Sequence, residues 1–382
     1  MYASRKNLKM SKQFIIHLLI LSSVLMPVAW SALASEELLD DAGAMVLVLE
    51  DCDSDNKLST VPYGDVLSLI NSEGELIRKF RGFGIQRAFF DGPRNITVSE
   101  DGRFYIVCQI MPGKLTMCET ARRRELWTLW MGFESAVFSN DLIYAVNSNN
   151  VFAIDNTGTI VKHSRMGGFD VAVDTDHDCL WIVGSDVKKC NLDLQLKFKT
   201  MLTLDNNKTG AFSVDFDPIG SIWIAERNIE CEYGSKNRLV KRSLYGSILK
   251  IIDLDFSPVY VRVDRFDGSV WTTGIIKERD LSGIGDEMPE TLDELNELVT
   301  TKTEVFTCKY DSEGNWVFVI SKGGYAIELD QSDGSAWIAD KTNIWHYSDK
   351  GEILAGYTGS SDCQKWLAII PGTKQKRISS RQ

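Results

Sequence analysis

The chain has little of what usually announces a reaction. Of its 382 residues only four are histidine, and beyond the N-terminal stretch only His163, His177 and His346 remain. A histidine metal site or a general-base pair needs imidazoles that converge on one face, and no spacing here predicts that. The eight cysteines include no pair at the close spacing of a zinc or redox motif. No serine or cysteine sits in a nucleophile-elbow context. Gly82-Phe-Gly84 lacks the strand–helix setting of a phosphate loop. A basic surplus is absent too: 42 Lys and Arg face 53 Asp and Glu, for a net charge of −11. An acidic surface repels phosphate backbones, so general nucleic-acid binding is not expected. The plain reading of that charge is solubility.

Long apolar runs are also missing after the N-terminus. Arg5, Lys6, Lys9 and Lys12 precede the apolar stretch 14–30, and Ala32-Leu33-Ala34 offers a small-x-small cleavage site before Ser35. This pattern predicts a secretory signal peptide over residues 1–34, cut after Ala34. The stretch is short for a membrane span of about 20 residues, so no span is expected after cleavage. The expected location is secreted or periplasmic. All eight cysteines then lie in the mature chain, where an oxidising compartment permits disulfides.

What is present is a repeat. An aromatic follows a turn and opens an apolar strand at Tyr105, Tyr144, Trp181, Trp223, Trp271 and Trp337. The best copy is Ser332-Asp-Gly-Ser-Ala-Trp337-Ile-Ala-Asp340. The early intervals fit the roughly 40–50 residues of a four-stranded propeller blade, and the last two are stretched. Alternating strands precede the anchors, as in 169–174, 212–217 and 259–264. Asp-Gly or Ile-Gly pairs supply the turns between. A second hairpin follows each anchor, clearest over Val151–Val161. The expected fold is an all-β, seven-bladed β-propeller of four-stranded antiparallel blades over residues 45–371. Trp366–Ile370, Met45–Leu49 and Val66–Phe80 share one blade, so the two chain ends close the ring. A six-bladed ring is the alternative. Residues 35–44 form a leader and 372–382 a basic tail.

Two segments break the rhythm, 228–245 and 274–303. The first is basic. The second is acidic and holds Thr291-Leu-Asp-Glu294, a capping-box start, before Leu295 and Leu298; it predicts a short amphipathic helix. Both should emerge on one face of adjacent blades. Mutual neutralisation is one reading of their opposite charges. Walling a binding surface over the channel mouth is the other, with Arg227, Lys236, Arg238, Lys241, Arg242, Asp286, Glu287 and Glu290 as candidate contacts.

At its anchors the chain resembles NHL-type and virginiamycin B lyase-like secreted bacterial propellers. Their repeat carries an Asp-Gly-x-x-Trp-Ile/Val-Ala-Asp core and a Val-x-x-Leu/Ile-Asp-x-x-Gly hairpin. Residues 333–340 match that core; 217–226 and 267–274 match in part. The resemblance covers about residues 45 to 370 and implies the propeller, not an activity, since such rings host binders, lyases and lactonases. The lyase-type resemblance would imply a catalytic histidine pair at the channel mouth, and no motif places one here. A regucalcin-like lactonase would hold a metal on the ring axis with side chains from several blades.

Asp51, Asp53, Asp55 and Ser59 alternate as oxygen ligands do at the start of an EF-type calcium loop. Asn56 and Pro62 stand where glycine and the bidentate glutamate belong, so a solvated acidic turn is the stronger reading. No cofactor is expected, calcium or another divalent ion being the alternative. Cys52 and Cys363 end neighbouring strands of the shared blade and predict a disulfide across the seam. Cys108 with Cys118 and Cys179 with Cys190 lie on successive strands and are further candidate pairs. The function read from all this is a monomeric ligand- or protein-binding module, with a protein, small molecule or glycan as partner and no evident catalytic motif. A metal-dependent hydrolase, lactonase or lyase at the channel mouth is the competing class.

Overall fold

The computed structural model describes residues 44–51, 66–81, 93–109, 113–121, 124–139, 141–204, 209–228, 236–280, 300–359 and 364–372. The signal peptide, the acidic loop after Asp51, Cys52, Cys363, the helix expected after Thr291, and Asp286, Glu287 and Glu290 lie outside them.

Seven antiparallel sheets of four strands form a ring. Blade 1 joins β1 (Met45–Asp51), β2 (Val66–Ile70) and β3 (Leu76–Arg81) to the last strand, β28 (Gln364–Ile370). Blade 2 holds β4 (Pro93–Val98), β5 (Phe104–Gln109), β6 (Lys114–Glu119) and β7 (Glu125–Leu129). Blade 3 holds β8 (Ser135–Ser139), β9 (Leu142–Val146), β10 (Val151–Asp155) and β11 (Ile160–Ser164). Blade 4 holds β12 (Asp170–Asp174), β13 (Cys179–Val183), β14 (Asp186–Cys190) and β15 (Leu196–Met201). Blade 5 holds β16 (Thr209–Phe216), β17 (Ile222–Asn228), β18 (Asn237–Arg242) and β19 (Ile248–Leu254). Blade 6 holds β20 (Ser257–Val263), β21 (Val270–Asp280), β22 (Thr300–Tyr310) and β23 (Trp316–Ile320). Blade 7 holds β24 (Ala326–Leu329), β25 (Ala336–Ala339), β26 (Asn343–Tyr347) and β27 (Ile353–Thr358). The inner strands β28, β4, β8, β12, β16, β20 and β24 touch in that order and close the circle. Seven blades and the shared first blade are as the repeat predicts, and the six-bladed alternative falls.

The breaks in the repeat are narrower than the sequence suggests. Strand β18 (Asn237–Arg242) lies wholly inside the stretch 228–245 read as an insertion. Likewise β21 and β22 stay paired out to Asp280 and Thr300. The connections 229–235 and 281–299 lie outside the described residues.

Six of the seven outer hairpins, all but that of blade 2, turn the same way. The first residue of the turn accepts a hydrogen bond from the fourth, as in Gly158 N–H to Asp155 O (2.9 Å), Gly246 to Ser243 (2.8 Å) and Gly351 to Ser348 (3.0 Å). The fourth residue has positive φ, +84°, +84° and +83° in these three. Glycine reaches that region without a Cβ penalty. Blade 4 puts Leu194 there instead, at φ 62°, with its side chain buried in the interface core. Burial offsets the strain of a left-handed leucine.

The anchors explain how neighbouring blades hold together. Trp181, Trp223, Trp271 and Trp337 are buried, and each lies opposite a nitrogen donor on the next strand: Lys189, Lys241, Lys309 and His346. The lysine Nζ atoms sit 5.3, 5.4 and 5.2 Å from the ring centroids, and the His346 ring stacks on Trp337 at 4.3 Å. Every one of these side chains also donates to the second residue of the next blade's outer turn. Lys189 reaches Leu244 O (2.9 Å), Lys241 reaches Ser312 O (2.7 Å), Lys309 reaches Asp349 O (2.6 Å) and His346 Nδ1 reaches Ser72 O (3.1 Å). Two other interfaces reach the same turn carbonyl by other means, Tyr144 Oη to Leu192 O (3.0 Å) and Trp127 Nε1 to Asn156 O (2.9 Å). The tryptophan therefore packs the interface, and its partner donor latches it.

His346 makes one latch sensitive to pH. A carbonyl can only accept, so Nδ1 carries the proton, and Nε2 accepts from the Ser335 hydroxyl at 2.9 Å. Burial lowers the His346 pKa below that of a free imidazole. The unfolded chain then takes up a proton near pH 6.5 before the folded one does. The contribution of His346 is full above that pH and lost as pH falls below it. We expect His346→Lys, which copies the other three blades, to shrink the loss of denaturant midpoint between pH 7.5 and 5.5. An unchanged pH profile would sink this assignment.

The intrablade disulfides do not form. Cys108, Cys118, Cys179, Cys190 and Cys308 are all free and buried. The register explains it: Cys108 faces Leu115 while Cys118 faces Tyr105, and Cys190 faces Leu180 rather than Cys179. Burial pushes the thiols up, to about 12 for Cys118 and Cys190 and about 11 for Cys179 and Cys308, which keeps them unreactive.

Candidate functional site

The seven inner strands run in the same direction, so the ring has two unlike faces. On one, the connections described in full are tight turns, such as 99–103, 217–221 and 264–269. The connections 52–65, 82–92, 229–236 and 281–299 all leave from strand ends on the other. Binding residues gather on loops carried by a rigid scaffold, which makes the second face the one to read.

Between the faces runs a channel lined by all seven inner strands, with a cavity of about 340 Å³. The charged residues of its wall lie on one side, on blades 4 to 7. Asp215, Arg262 and Glu328 occupy equivalent positions on blades 5, 6 and 7, two residues before the strand-ending Asp217, Asp264 and Asp330. Thr97, Val137, Ala172 and Ile369 hold that position on the other blades. Asp170 lies on the same wall, nearer the loop face. Arg262 Nε donates to Glu328 Oε2 at 2.9 Å. Arg265 reaches back from the tight-turn face, over the Phe216 ring, to pair with Asp215. Asp170 accepts from Ser135 Oγ (2.6 Å), Val171 N–H (2.9 Å) and, across the blade boundary, Val214 N–H (3.0 Å). Asp215 makes the same kind of crossing to Val263 N–H at 2.8 Å.

Burial pushes the Asp170 and Glu328 carboxyls above the usual carboxylate range, although Arg262 opposes the shift in both. Burial would lower Arg262, but Glu328, Asp170 and Asp215 outweigh it and hold the guanidinium more firmly charged than usual. The network is a fixed polar plug, with its hydrogen bonds largely satisfied from within the ring.

Above it, at the loop face, a second cavity of about 410 Å³ opens. Its floor is the channel wall at Asn95, Ser135 and Asp170, and its rim carries Arg94, Glu134, Phe169, Phe212, Arg227, Tyr260, Tyr325 and Trp366. Phe169 and Phe212 stack at 5.1 Å, and the Arg227 guanidinium caps Phe212 at 3.9 Å. Asn95 Oδ1 is buried without a hydrogen-bond partner. Burial raises the Glu134 carboxyl, with Arg94 pulling the other way. Stacked rings beside acceptors and cations can hold a ligand by its faces and its polar edge.

The candidate contacts of the sequence divide. Arg227 lines this mouth. Lys236 is exposed beside the start of β18, and Arg238 donates to Asp253 Oδ1 (2.8 Å) and Thr203 O (3.0 Å). Lys241 and Arg242 are buried at the far end of β18, Lys241 as a latch and Arg242 on Met201 O (2.8 Å) and Gly246 O (3.1 Å). The histidines stand on three blades: His163 stacks on Phe152, His177 pairs with Asp174 Oδ2 at 2.7 Å, and His346 is the latch. Among the described residues no group of three or more His, Cys, Asp or Glu is placed to hold a metal. Sequence reading missed Asp215, Arg262 and Glu328. Their signal was there: charged residues at one repeat position in three consecutive inner strands.

The geometry defines a seven-bladed β-propeller with a plugged channel and one elaborated face. No family model matches the chain, and neither does any curated protein. Solved structures do. A functionally unknown protein from Desulfotomaculum acetoxidans is 11% identical, with a TM-score of 0.57 over 87% of this chain and 100% of that chain. Kuenenia stuttgartiensis hydrazine synthase is 12% identical, with a TM-score of 0.51 over 70% of this chain and 79% of that one. BamB from Moraxella catarrhalis is 10% identical, with a TM-score of 0.46 over 78% and 86%. At such identities the likeness is one of fold.

Proposed function

We propose that the protein is a secreted or periplasmic binding module, and that its ligand, a protein segment, small molecule or glycan, docks at the loop-face mouth of the channel. The observation that carries this reading is the coincidence of two features on one face. The long connections leave there, and there the mouth combines stacked aromatics with Arg94, Glu134 and the unpartnered Asn95 carbonyl. The plug below suits a floor rather than a passage. The N-terminal pattern ending at Ala34 supports export.

The test is a glycan array and a thermal-shift screen of small metabolites, run on the native protein and on Phe169→Ala. A hit of this site should weaken at least about tenfold in the variant, as for a central aromatic contact. Hits that survive Phe169→Ala but vanish with Asp101→Lys, on the tight-turn face, would refute the placement. N-terminal sequencing of exported protein should begin at Ser35.

A further inference from the structure

The tight-turn face has a mouth of its own, a cavity of about 1050 Å³ that shares no lining residue with the loop-face mouth. Its wall is acidic. Asp101, Asp174 and Asp217 are each paired, with Arg103, His177 and Lys241. Glu100, Asp141 and Asp176 are not. They stand exposed on the turns of blades 2, 3 and 4, with no ion-pair partner among the described residues. The two arginines of the wall are already engaged, Arg103 with Asp101 and Arg265 with Asp215. A cleft lined by unbalanced charge of one sign focuses its field on the opposite sign. Ser139 adds a polar group: it is 8% exposed, and its Oγ has no hydrogen-bond partner among the described residues. It alternates on β8 with Ser135 and Val137, which line the channel, so its side chain points to the same side and into this cavity. Phe138 and Phe266 supply apolar surface on the same wall.

We propose that this mouth is the docking site of the chain's own basic tail, residues 373–382. Where the described chain ends is the first reason for that occupant. The inner strands all run towards the tight-turn face, so β28 delivers Ile370, Pro371 and Gly372 there. A Cβ on Gly102 would stand 3.0 Å from Ile370 Cγ2 and 3.6 Å from Pro371 Cδ, which sets this end against the blade 2 turn that carries Glu100. Charge is the second reason. The tail holds Lys374, Lys376, Arg377 and Arg381 and no acid, against free carboxylates on three consecutive blades. Reach is the third. Residues 373–382 can extend to about 33 Å, and blades 2 and 4 are two sheet spacings of about 10 Å apart. A segment tethered at the rim also has an effective concentration of about a millimolar there, which a free basic partner would have to match in solution. The docked tail covers the end of the channel opposite the loop-face mouth, so the proposal stands apart from the ligand site.

Carbodiimide cross-linking of the full chain, on an equal mixture of isotopically light and heavy protein, reads the contact directly. Lys374 and Lys376 should join Glu100, Asp141 or Asp176, within copies of one label. The proposal is overturned by no such link, or by equal yields to exposed acids elsewhere, such as Asp193 and Asp253. Links that mix the labels also overturn it and assign the mouth to a second copy. Trypsin gives an independent reading. At low salt, cleavage after Lys374, Lys376 and Arg377 should run at least about threefold slower than in the free peptide of residues 372–382. The two rates should converge at about 0.5 M salt, where exposed pairs are screened. Combining Glu100→Gln, Asp141→Asn and Asp176→Asn should remove the protection at low salt and leave the thermal midpoint unchanged, since all three residues are exposed. Protection that persists in this variant, or that is absent from the native protein, overturns the proposal.

Discussion

Replacing Arg262 by methionine should destabilise the ring by about 3 kcal/mol at neutral pH, the scale of an uncompensated buried ion pair. The side chain stands between Asp170, Asp215 and Glu328, and its loss leaves Asp215 with Arg265 alone and takes the opposing guanidinium from Asp170 and Glu328. The magnitude is moderate because Arg262 and Glu328 keep about a fifth to a quarter of their surface open to the channel, at 19% and 25%. The penalty should depend on pH in a definite sense. Asp170 and Glu328 already titrate above the ordinary carboxylate range when folded, so the folded chain binds more protons than the unfolded one just above that range. Stability contributed by such groups falls as pH rises through the window. Removing the guanidinium removes what opposes their shift, and moves the window upward. Guanidinium denaturation at pH 5 and pH 7.5 should therefore show a smaller loss at pH 5. An equal loss at both, or none, would mean that the three acids are not coupled to Arg262.

The second large effect belongs to Lys241→Met, at about 3 kcal/mol. Methionine keeps the apolar stem over Trp223 but drops the charge. Lys241 Nζ holds Asp217 Oδ2 at 3.0 Å as well as the Ser312 carbonyl, and Asp217 is 2% exposed. Asp217 would keep its bonds from the Ile219 and Ser221 N–H groups but lose its counter-ion. Lys309→Met is the internal comparison. It loses a ring contact and the Asp349 carbonyl but no paired carboxylate, and should cost only about 1 kcal/mol. Urea midpoints of both variants, and partial rescue of Lys241→Met by Asp217→Asn, would separate the pair from the latch. Equal costs at the two positions would dissolve the distinction.

Lys241 also marks where the sequence ran out. The tryptophans were legible because a large apolar residue after a turn, at a steady interval, has one economical explanation. The shared blade was legible because two unpaired apolar strands at the ends of a ring must find each other. Strand β18 was not. Asn237-Arg-Leu-Val-Lys-Arg242 reads as solvated charge, since only the folded neighbour supplies the indole face and the turn carbonyl that let Lys241 be buried. The channel plug was hidden for a related reason. Alternation in strands such as 259–264 was read for its apolar face, while the residues between, Arg262 among them, face an axis that exists only once seven blades have closed. The two pairs expected within blades, Cys108 with Cys118 and Cys179 with Cys190, failed on register, which depends on turn geometry more than on the spacing of two residues along the chain.

The shared blade has a mechanical side. β28 and β1 pair rung by rung from Met45 and Ile370 to Asp51 and Gln364. Because the pairing is antiparallel, Met45 and Ile370 stand side by side. A pull applied across them bears on one rung at a time, as on the slider of a zip, rather than shearing the whole strand at once. The ring's seam is thus weakest against traction on its own ends. It is strongest against forces that spread the blades outward, where every rung shares the load.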